Sequence, residues 1–556
     1  MKKKILVYLL IGIIILGIGL RIVILNNPYS CEETDFVKAA EGIKNTGIPT
    51  YYFSEQKPQD IFLLHPPMYV YLSSLFLKIN SKEIGMRSVN FIFTLLTIML
   101  VFLGVYRLFK KEKGIIVGLI SSALFSLTYY AFQSSMIVDI DMLSTFFITL
   151  FIFSILIWFN ENKSYFWIST IALFFAIANR FIIAGLIYCS ILIFCILNKN
   201  YRNKIKDYIL LGIVSCVSFI AIWWAYSKFI VPGTFFSFLK HNLALGGEAV
   251  SNPLVYMFSF VLNLVQIIQL ITIPAFILLI MAVIYCKKDN LIKIILYSLF
   301  FGAGFFVIIA RPAFGYPRYF LSMIPLVCLI IAIWLFDEFK DYKFQKRDLV
   351  ILAISAILTL ILMIIIGPEP IIYSSDGLIK STNIFNILSI LICSVPILLS
   401  FILTRQKKYI IIVLIAVFLV QTSYLDIKLS FQDEGIKEAS AYISSVTNNS
   451  EIIIAPKSIG YYSERKYYAN DYYKPAINNL SISFITEYVY KSYKNQKMDE
   501  EFFYPGGIYG GTTLNKDYIP SQEGLNRASY AVLYYSLKDK PYEVKIGNFY
   551  IYSLNK

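Results

Sequence analysis

The chain has 556 residues, of which 58% are hydrophobic and only 15% charged. Soluble domains run nearer half apolar and a quarter charged, so this composition excludes a purely soluble multidomain protein and a disordered one, and makes lipid the solvent for most of the chain. Lysine and arginine outnumber aspartate and glutamate 50 to 35, a net charge of +15. The placement of that excess decides between a nucleic-acid partner and a membrane topology signal.

Lys2, Lys3 and Lys4 precede an apolar run from Ile5 to about Leu25. The run is longer than a signal-peptide core and no small-residue cleavage site follows it, so it is expected to be an uncleaved first membrane helix. Further runs at 88–109, 114–132, 139–159, 164–180, 181–198, 208–230, 254–285, 294–310, 319–337, 348–367, 384–404 and 409–425 predict about thirteen spans. Arg180 interrupts 164–198, which is therefore read as two spans. If the spans alternate, the basic connectors at 107–113, 163, 199–206, 287–293, 340–347 and 405–408 share the side of Lys2–Lys4, and the opposite connectors carry few basic residues. The positive-inside rule then puts the N-terminus in the cytoplasm and, with an odd span count, the C-terminus outside. The charge excess is explained as topology, and no nucleic-acid partner is needed.

Two outer segments are too long to be simple connectors. Residues 26–87 hold a short expected helix at Thr34–Lys44 and a second at Pro66–Ile79, apolar but too short to span and suited to the interface. Residues 426–556 are polar and Tyr-rich, with an expected helix at Glu434–Val446 and expected strands at Ile452–Ala455, Tyr530–Tyr535 and Tyr542–Tyr552. The expected architecture is a polytopic α-helical membrane domain over 1–425 with an extracytoplasmic α/β domain over 426–556. Of seven cysteines, six lie in or beside apolar runs and Cys31 stands in a polar loop. No Cys-x-x-Cys occurs, so they read as packing residues.

Ionisable side chains at membrane depth or at its rim are costly and mark functional positions. Four groups fall on the outer side: Glu32-Glu33 just after the first span, Asp139-x-Asp141 at the start of another, His65 before Pro66-Pro67, and the arginines Arg87, Arg180, Arg311 and Arg318. A carboxylate in such a rim can serve as a general base, although acids at a helix start also serve as caps. Outer arginines suit a bound anion such as a lipid phosphate. Asp139, Asp141, His65 and His241 are the candidates for a divalent cation, His65 and His241 being the only histidines in the chain.

In this layout the chain resembles the GT-C membrane glycosyltransferases, specifically the branch of the protein O-mannosyltransferases and the lipid A aminoarabinose transferase. The resemblance rests on Glu32-Glu33-Thr34-Asp35-Phe36, His65-Pro66-Pro67-Met68, Arg87, Asp141 with the aromatics Phe146-Phe147 behind it, Asn179-Arg180, and Pro317-Arg318-Tyr319-Phe320. It covers the membrane part, about 1–425. Glu32 stands where the family's acid pair usually begins with Asp. Arg180 stands where a Lys is frequent, and Gly315 falls near a family Lys that Arg311 or Arg318 replaces. The resemblance implies an inverting sugar transfer from a polyprenyl-phosphate donor to a lipid, glycan or protein acceptor at the outer face of the cytoplasmic membrane. Glu32, Glu33 and Asp141 would be catalytic. His65, Arg87, Arg180, Arg311, Arg318 and Tyr319 would hold donor and phosphate, and no cofactor would be required. A glycan ligase or oligosaccharyltransferase of the same type and a polytopic transporter are the alternatives. Charges gathered at one rim, without an internal repeat, speak against the transporter.

Overall fold

The computed structural model describes residues 3–29, 31–51, 60–61, 66–80, 82–109, 111–160, 164–231, 268, 271–287, 289–303, 317–343, 345–366, 395–396, 406–430, 435–449, 452–455, 457–469, 482–488, 544–546 and 549–553. Among these, eight helices are long and apolar enough to cross a membrane, or nine if one bent pair counts as a span. The protein is therefore a multi-pass membrane protein. The expected span 384–404 and parts of 254–285 and 294–310 lie outside the described residues.

The membrane helices are α1 (Lys3–Ile24), α4 (Lys82–Phe109), α5 (Lys111–Leu127), α6 (Tyr129–Met136), α7 (Asp141–Asn160), α8 (Tyr165–Leu197), α9 (Ile205–Phe229), α10 (Ile273–Tyr285), α11 (Asn290–Tyr297), α12 (Ile324–Phe339), α13 (Lys346–Ile366) and α14 (Lys407–Ser430). Between α1 and α4 lie α2 (Cys31–Thr46), the two-residue strands β1 (Thr50–Tyr51) and β2 (Asp60–Ile61), and α3 (Met68–Leu77). The run expected as one span at 114–132 is instead α5 and α6, bent by 61° at Thr128. Lipid exposure sorts the helices. In α7 and α12 83% of the most apolar stretch is buried, against 17% in α13. The first two form the middle of the bundle, and α13 presents Ile354, Ile357, Ile364 and Ile365 outward, where lipid and not water must cover them.

α8 runs through 33 residues yet is not one straight helix. Arg180, at φ −138° and ψ 80°, breaks it in the middle. Tyr201 touches Phe159, just before the helix, and Phe194, near its far end. Lys204 Nζ donates to the carbonyl of Phe159 at 2.7 Å. Ser169 Oγ meets Ser154 Oγ at 2.8 Å on the rising arm, and Tyr188 stacks on Tyr208 at 4.7 Å on the returning one. Both ends of α8 therefore lie at one level and Arg180 at the apex, so residues 165–197 form two arms that meet at the arginine.

The same contacts gather the basic connectors at one end of the bundle. Lys113 pairs with Asp337 at 3.0 Å, Lys407 pairs with Glu338 at 2.8 Å and lies over the Tyr285 ring, and Asn198 bonds Asn290. α2, α3, the 137–140 loop and the Arg180 apex occupy the opposite end. At that end, Tyr29, Phe36, Val37, Tyr69, Val70, Val89, Val138, Ile140 and Leu143 share one apolar cluster.

The C-terminal part contains α15 (Ile436–Val446), α16 (Lys457–Ser463) and the strands β3 (Ile452–Ala455), β4 (Lys466–Ala469), β5 (Ile482–Tyr488), β6 (Val544–Ile546) and β7 (Phe549–Ser553). The strands form a mixed five-stranded sheet in the order β4-β3-β5-β7-β6, with β3 parallel to β4 and β5 and the remaining pairs antiparallel. The single strand expected at Tyr542–Tyr552 is two strands of a hairpin. Arg465 ties the helices to the sheet by donating from Nη2 to the carbonyls of Ser444 at 2.7 Å and Thr447 at 2.9 Å, the open C-terminal carbonyls of α15. The strand expected at Tyr530–Tyr535 lies outside the described residues.

Candidate active site

Glu33 lies in the first turn of α2 and Arg87 in the second turn of α4, and both are almost fully buried. Arg87 Nη2 reaches both carboxylate oxygens, at 2.9 and 3.0 Å, and Nε reaches Oε1 at 3.2 Å. The backbone N–H of Val138 donates to the same Oε1 at 2.9 Å. Arg87 also donates to the carbonyls of Asn27 and, at 3.0 Å, Pro28, and its guanidinium lies 5.3 Å from the Tyr29 ring. One fork-shaped pair thus fastens the exit of α1, the start of α2, α4 and the 137–140 loop, a geometry that a lysine cannot reproduce.

One turn along α4 from Arg87, Asn90 is fully buried and donates to the carbonyls of Ile137 and, at 3.0 Å, Asp139. This holds the loop so that Asp139 and Asp141 face the apex of α8. Arg180 Nη2 pairs with Asp141 Oδ1 and lies 3.9 Å from Asp139 Oδ1, and Asp139 Oδ1 accepts the N–H of Ile140 at 2.5 Å. Arg180 is 7% exposed, Asp139 3% and Asp141 5%. A guanidinium seated between two carboxylates in so dry a place is fixed in position, because breaking either contact strands a charge.

Tyr69 of α3 stands in the same cluster, fully buried and packed edge-on against Phe36 at 5.6 Å. Burial, and after it the charge of Asp139, pushes its hydroxyl well above the usual tyrosine range, so it stays protonated.

The structure thus brings together Glu33 with Arg87, and Asp139 with Asp141 and Arg180, through Val138. Glu32 sits in the first turn of α2 next to Glu33, in helix and not before it as expected. Its side chain is outside the described ones. Arg318 and Tyr319 lie in the 3₁₀ turn Pro317–Met323, whose Leu321 shares an apolar cluster with Met142 of α7, one residue from Asp141. His65, Arg311 and His241 lie outside the described residues. Among the described residues no group of three or more His, Cys, Asp and Glu could hold a metal ion. Asn90 and Tyr69 escaped the sequence reading. An asparagine one helical turn from Arg87 in an apolar span was the available signal for the first, and Tyr69 is one of 42 tyrosines.

Residues 64–226 match the family model of the dolichyl-phosphate-mannose-protein mannosyltransferases. That stretch takes in Arg87, Asn90, Asp139, Asp141 and Arg180. The crystal structure of ArnT from Cupriavidus metallidurans bound to undecaprenyl phosphate superposes with a TM-score of 0.58 at 10% identity, covering 98% of this chain and 97% of that one. Its apo state gives 0.57 over the same shares, also at 10% identity. The chain has the GT-C glycosyltransferase fold. The Archaeoglobus fulgidus oligosaccharyltransferase superposes with a TM-score of 0.43 at 10% identity over 87% of this chain and 70% of the other, too low to carry an argument. No curated protein sequence matches this chain.

Proposed function

We propose that this GT-C chain is an inverting glycosyltransferase of the cytoplasmic membrane. It would move a sugar from a polyprenyl phosphate to a lipid, glycan or protein acceptor on the extracytoplasmic side. The observation that carries this reading is the buried pairing of Arg180 with Asp139 and Asp141, beside Glu33 and Arg87, at the end of the bundle opposite the basic connectors. The undecaprenyl phosphate bound to ArnT supports a donor of that class for a chain of the same fold.

In this reading the membrane domain is 1–425 and residues 426–556 form an extracytoplasmic α/β domain above it. Glu33 already accepts from Arg87 and Val138 and acts as an anchor. Glu32, its neighbour in the first turn, is the base and takes the proton of the acceptor hydroxyl or amine. The acceptor atom bonds to the anomeric carbon from the side opposite the phosphate. The bond from that carbon to the phosphate oxygen breaks, and polyprenyl phosphate departs with the electron pair. Arg180, with Arg318 or Arg311, balances the charge growing on the leaving phosphate, and its seat between two carboxylates means that little reorganisation is needed as the charge develops. With Arg180 supplying the positive charge between Asp139 and Asp141, the reaction needs no divalent cation there.

Glu32→Gln keeps size and hydrogen bonding but cannot take a proton. It should lower single-turnover transfer by about 10²–10⁴ while undecaprenyl phosphate still binds. Glu33→Gln should be milder and act through stability. If Glu33→Gln is dead and Glu32→Gln near normal, the roles are exchanged. If both stay active, the acid pair only caps α2 and the mechanism fails.

A further inference from the structure

The segment Asn27–Tyr29, which leads from α1 into α2, is gripped from two sides. From the membrane side Arg87 donates to the carbonyls of Asn27 and Pro28 and lies under the Tyr29 ring. From the C-terminal part, Tyr462 of α16 stacks on the Tyr29 ring, at 6.1 Å and 24°, and its hydroxyl accepts the Tyr29 N–H at 2.9 Å. The same hydroxyl donates to Glu83 Oε1 at 3.2 Å, one helical turn before Arg87 on α4. Tyr461 meets the Tyr29 ring edge-on at 5.9 Å and donates to Glu41 of α2 at 2.9 Å. Both tyrosines pack against the apolar cluster that carries Phe36, Tyr69, Val138 and Ile140. Lys437 of α15 adds a pair with the same Glu83 Oε1 at 2.9 Å, partly exposed, and its ammonium lies 5.8 Å from the Tyr462 ring.

These contacts lie in one line. Tyr462 fixes the backbone of Tyr29, Arg87 binds the two residues before it, and the same Arg87 forks onto Glu33, which also accepts from the loop bearing Asp139. Burial, opposed by the hydrogen bond from the Tyr29 N–H and by Arg87 and reinforced by the charges of Glu83 and Glu33, leaves the Tyr462 hydroxyl well above the ordinary tyrosine range, so it remains a donor to Glu83 at physiological pH. We infer that Tyr462 is a positioning residue through which the C-terminal part sets the placement of the acid-bearing helix α2 for catalysis. The inference rests on the proposed transferase reading. It gives the C-terminal part a share in turnover and predicts that loosening this one hydroxyl slows the chemistry without weakening the grip on the lipid phosphate.

The test uses the full chain in lipid nanodiscs and three variants. Tyr462→Phe keeps the ring and its stacking and removes the hydroxyl, Tyr462→Ala removes both, and Lys437→Met removes the neighbouring charge on Glu83 and the Tyr462 ring while leaving the Tyr462 hydroxyl in place. Tyr462→Phe should speed amide exchange over residues 31–46 by about fivefold to tenfold, and Tyr462→Ala by more, with α7 and α12 unchanged. Lys437→Met should leave that exchange within about twofold, because partly exposed pairs contribute little. Binding of undecaprenyl phosphate should stay within about twofold in Tyr462→Phe, while turnover of a polyprenyl-phosphate sugar falls about tenfold, a loss in kcat and not in KM. Unchanged exchange in α2 in both Tyr462 variants overturns the inference. So does an equal effect from Lys437→Met, or faster exchange with undiminished turnover. If the unaltered chain transfers no sugar, the transferase reading fails by itself, and the exchange measurement still decides whether Tyr462 holds α2.

Discussion

Arg87 and Glu33 form a bidentate pair with both side chains buried, and Val138 adds a third donor to the same carboxylate. Such a pair contributes little over an apolar substitute but is expensive to break on one side. Arg87→Ala should therefore lower stability by about 3–5 kcal/mol, and Arg87→Lys should recover only part of it because a point charge does not match the fork. Combining Arg87→Ala with Glu33→Gln should restore much of the loss by removing the stranded charge. Thermal unfolding in detergent reads all three, and equal losses for the single and double variants would refute the account. At this scale the sequence was informative about which residues matter and less so about their partners. Arg87, Arg180, Asp139 and Asp141 were singled out because charges at a lipid rim are rare. That Arg87 serves Glu33 while Arg180 serves Asp141 follows from the paths of α2, α4 and α8, which no local pattern specifies.

Among the helices, α1 and α5 approach closely at Gly17, where a β-carbon would come within 2.9 Å of the Ser126 carbonyl. That approach lets Arg21, one turn on and fully buried, donate to the carbonyls of Gly17 and Ser126 at 2.8 Å each and to Ser135 Oγ of α6 at 2.7 Å. Asp426 of α14 lies within electrostatic reach of Arg21, fully buried, and its carboxylate makes no hydrogen bond among the described residues. Arg21→Met should cost about 3–5 kcal/mol, and adding Asp426→Asn should win back part of it. Unfolding midpoints that simply add would show that the two helices are not coupled through these charges. Both residues escaped the sequence reading for one reason: each sits at the end of an apolar run, where a charge passes for a boundary. α14 in fact continues to Ser430, five residues past the expected limit. The β6–β7 hairpin was likewise misread as one strand, although Gly547-Asn548 between its arms is a two-residue turn signal.

For the molecule as a whole, the basic connectors at one end and the acid–arginine pairs at the other give a bundle with distinct faces. A reporter fused after Lys556 should behave as external and one inserted near Lys204 as cytoplasmic. A cytoplasmic signal from the first would undo the extracytoplasmic placement of the site. The alternation of basic and non-basic connectors was legible because topology is written in composition, about one span at a time. The break at Arg180 was legible too, since a charge in mid-run needs a reason. The contact of α16 with Tyr29 was not, because it joins residues more than four hundred positions apart in sequence.

The shape of α8 bears on where a reaction there would take place. Its two arms, at about 1.5 Å of rise per residue, reach roughly 22–26 Å, while the hydrocarbon layer is about 30 Å thick. With the ends of α8 set at one boundary of that layer, arms of this length would leave the Arg180 apex several ångströms short of the other boundary. Under the proposed transfer, a lipid phosphate would then have to sink, or the leaflet dimple, to meet that guanidinium. Bilayer thickness would then be a variable of the proposed reaction, with turnover expected to be faster in thin membranes than in thick ones.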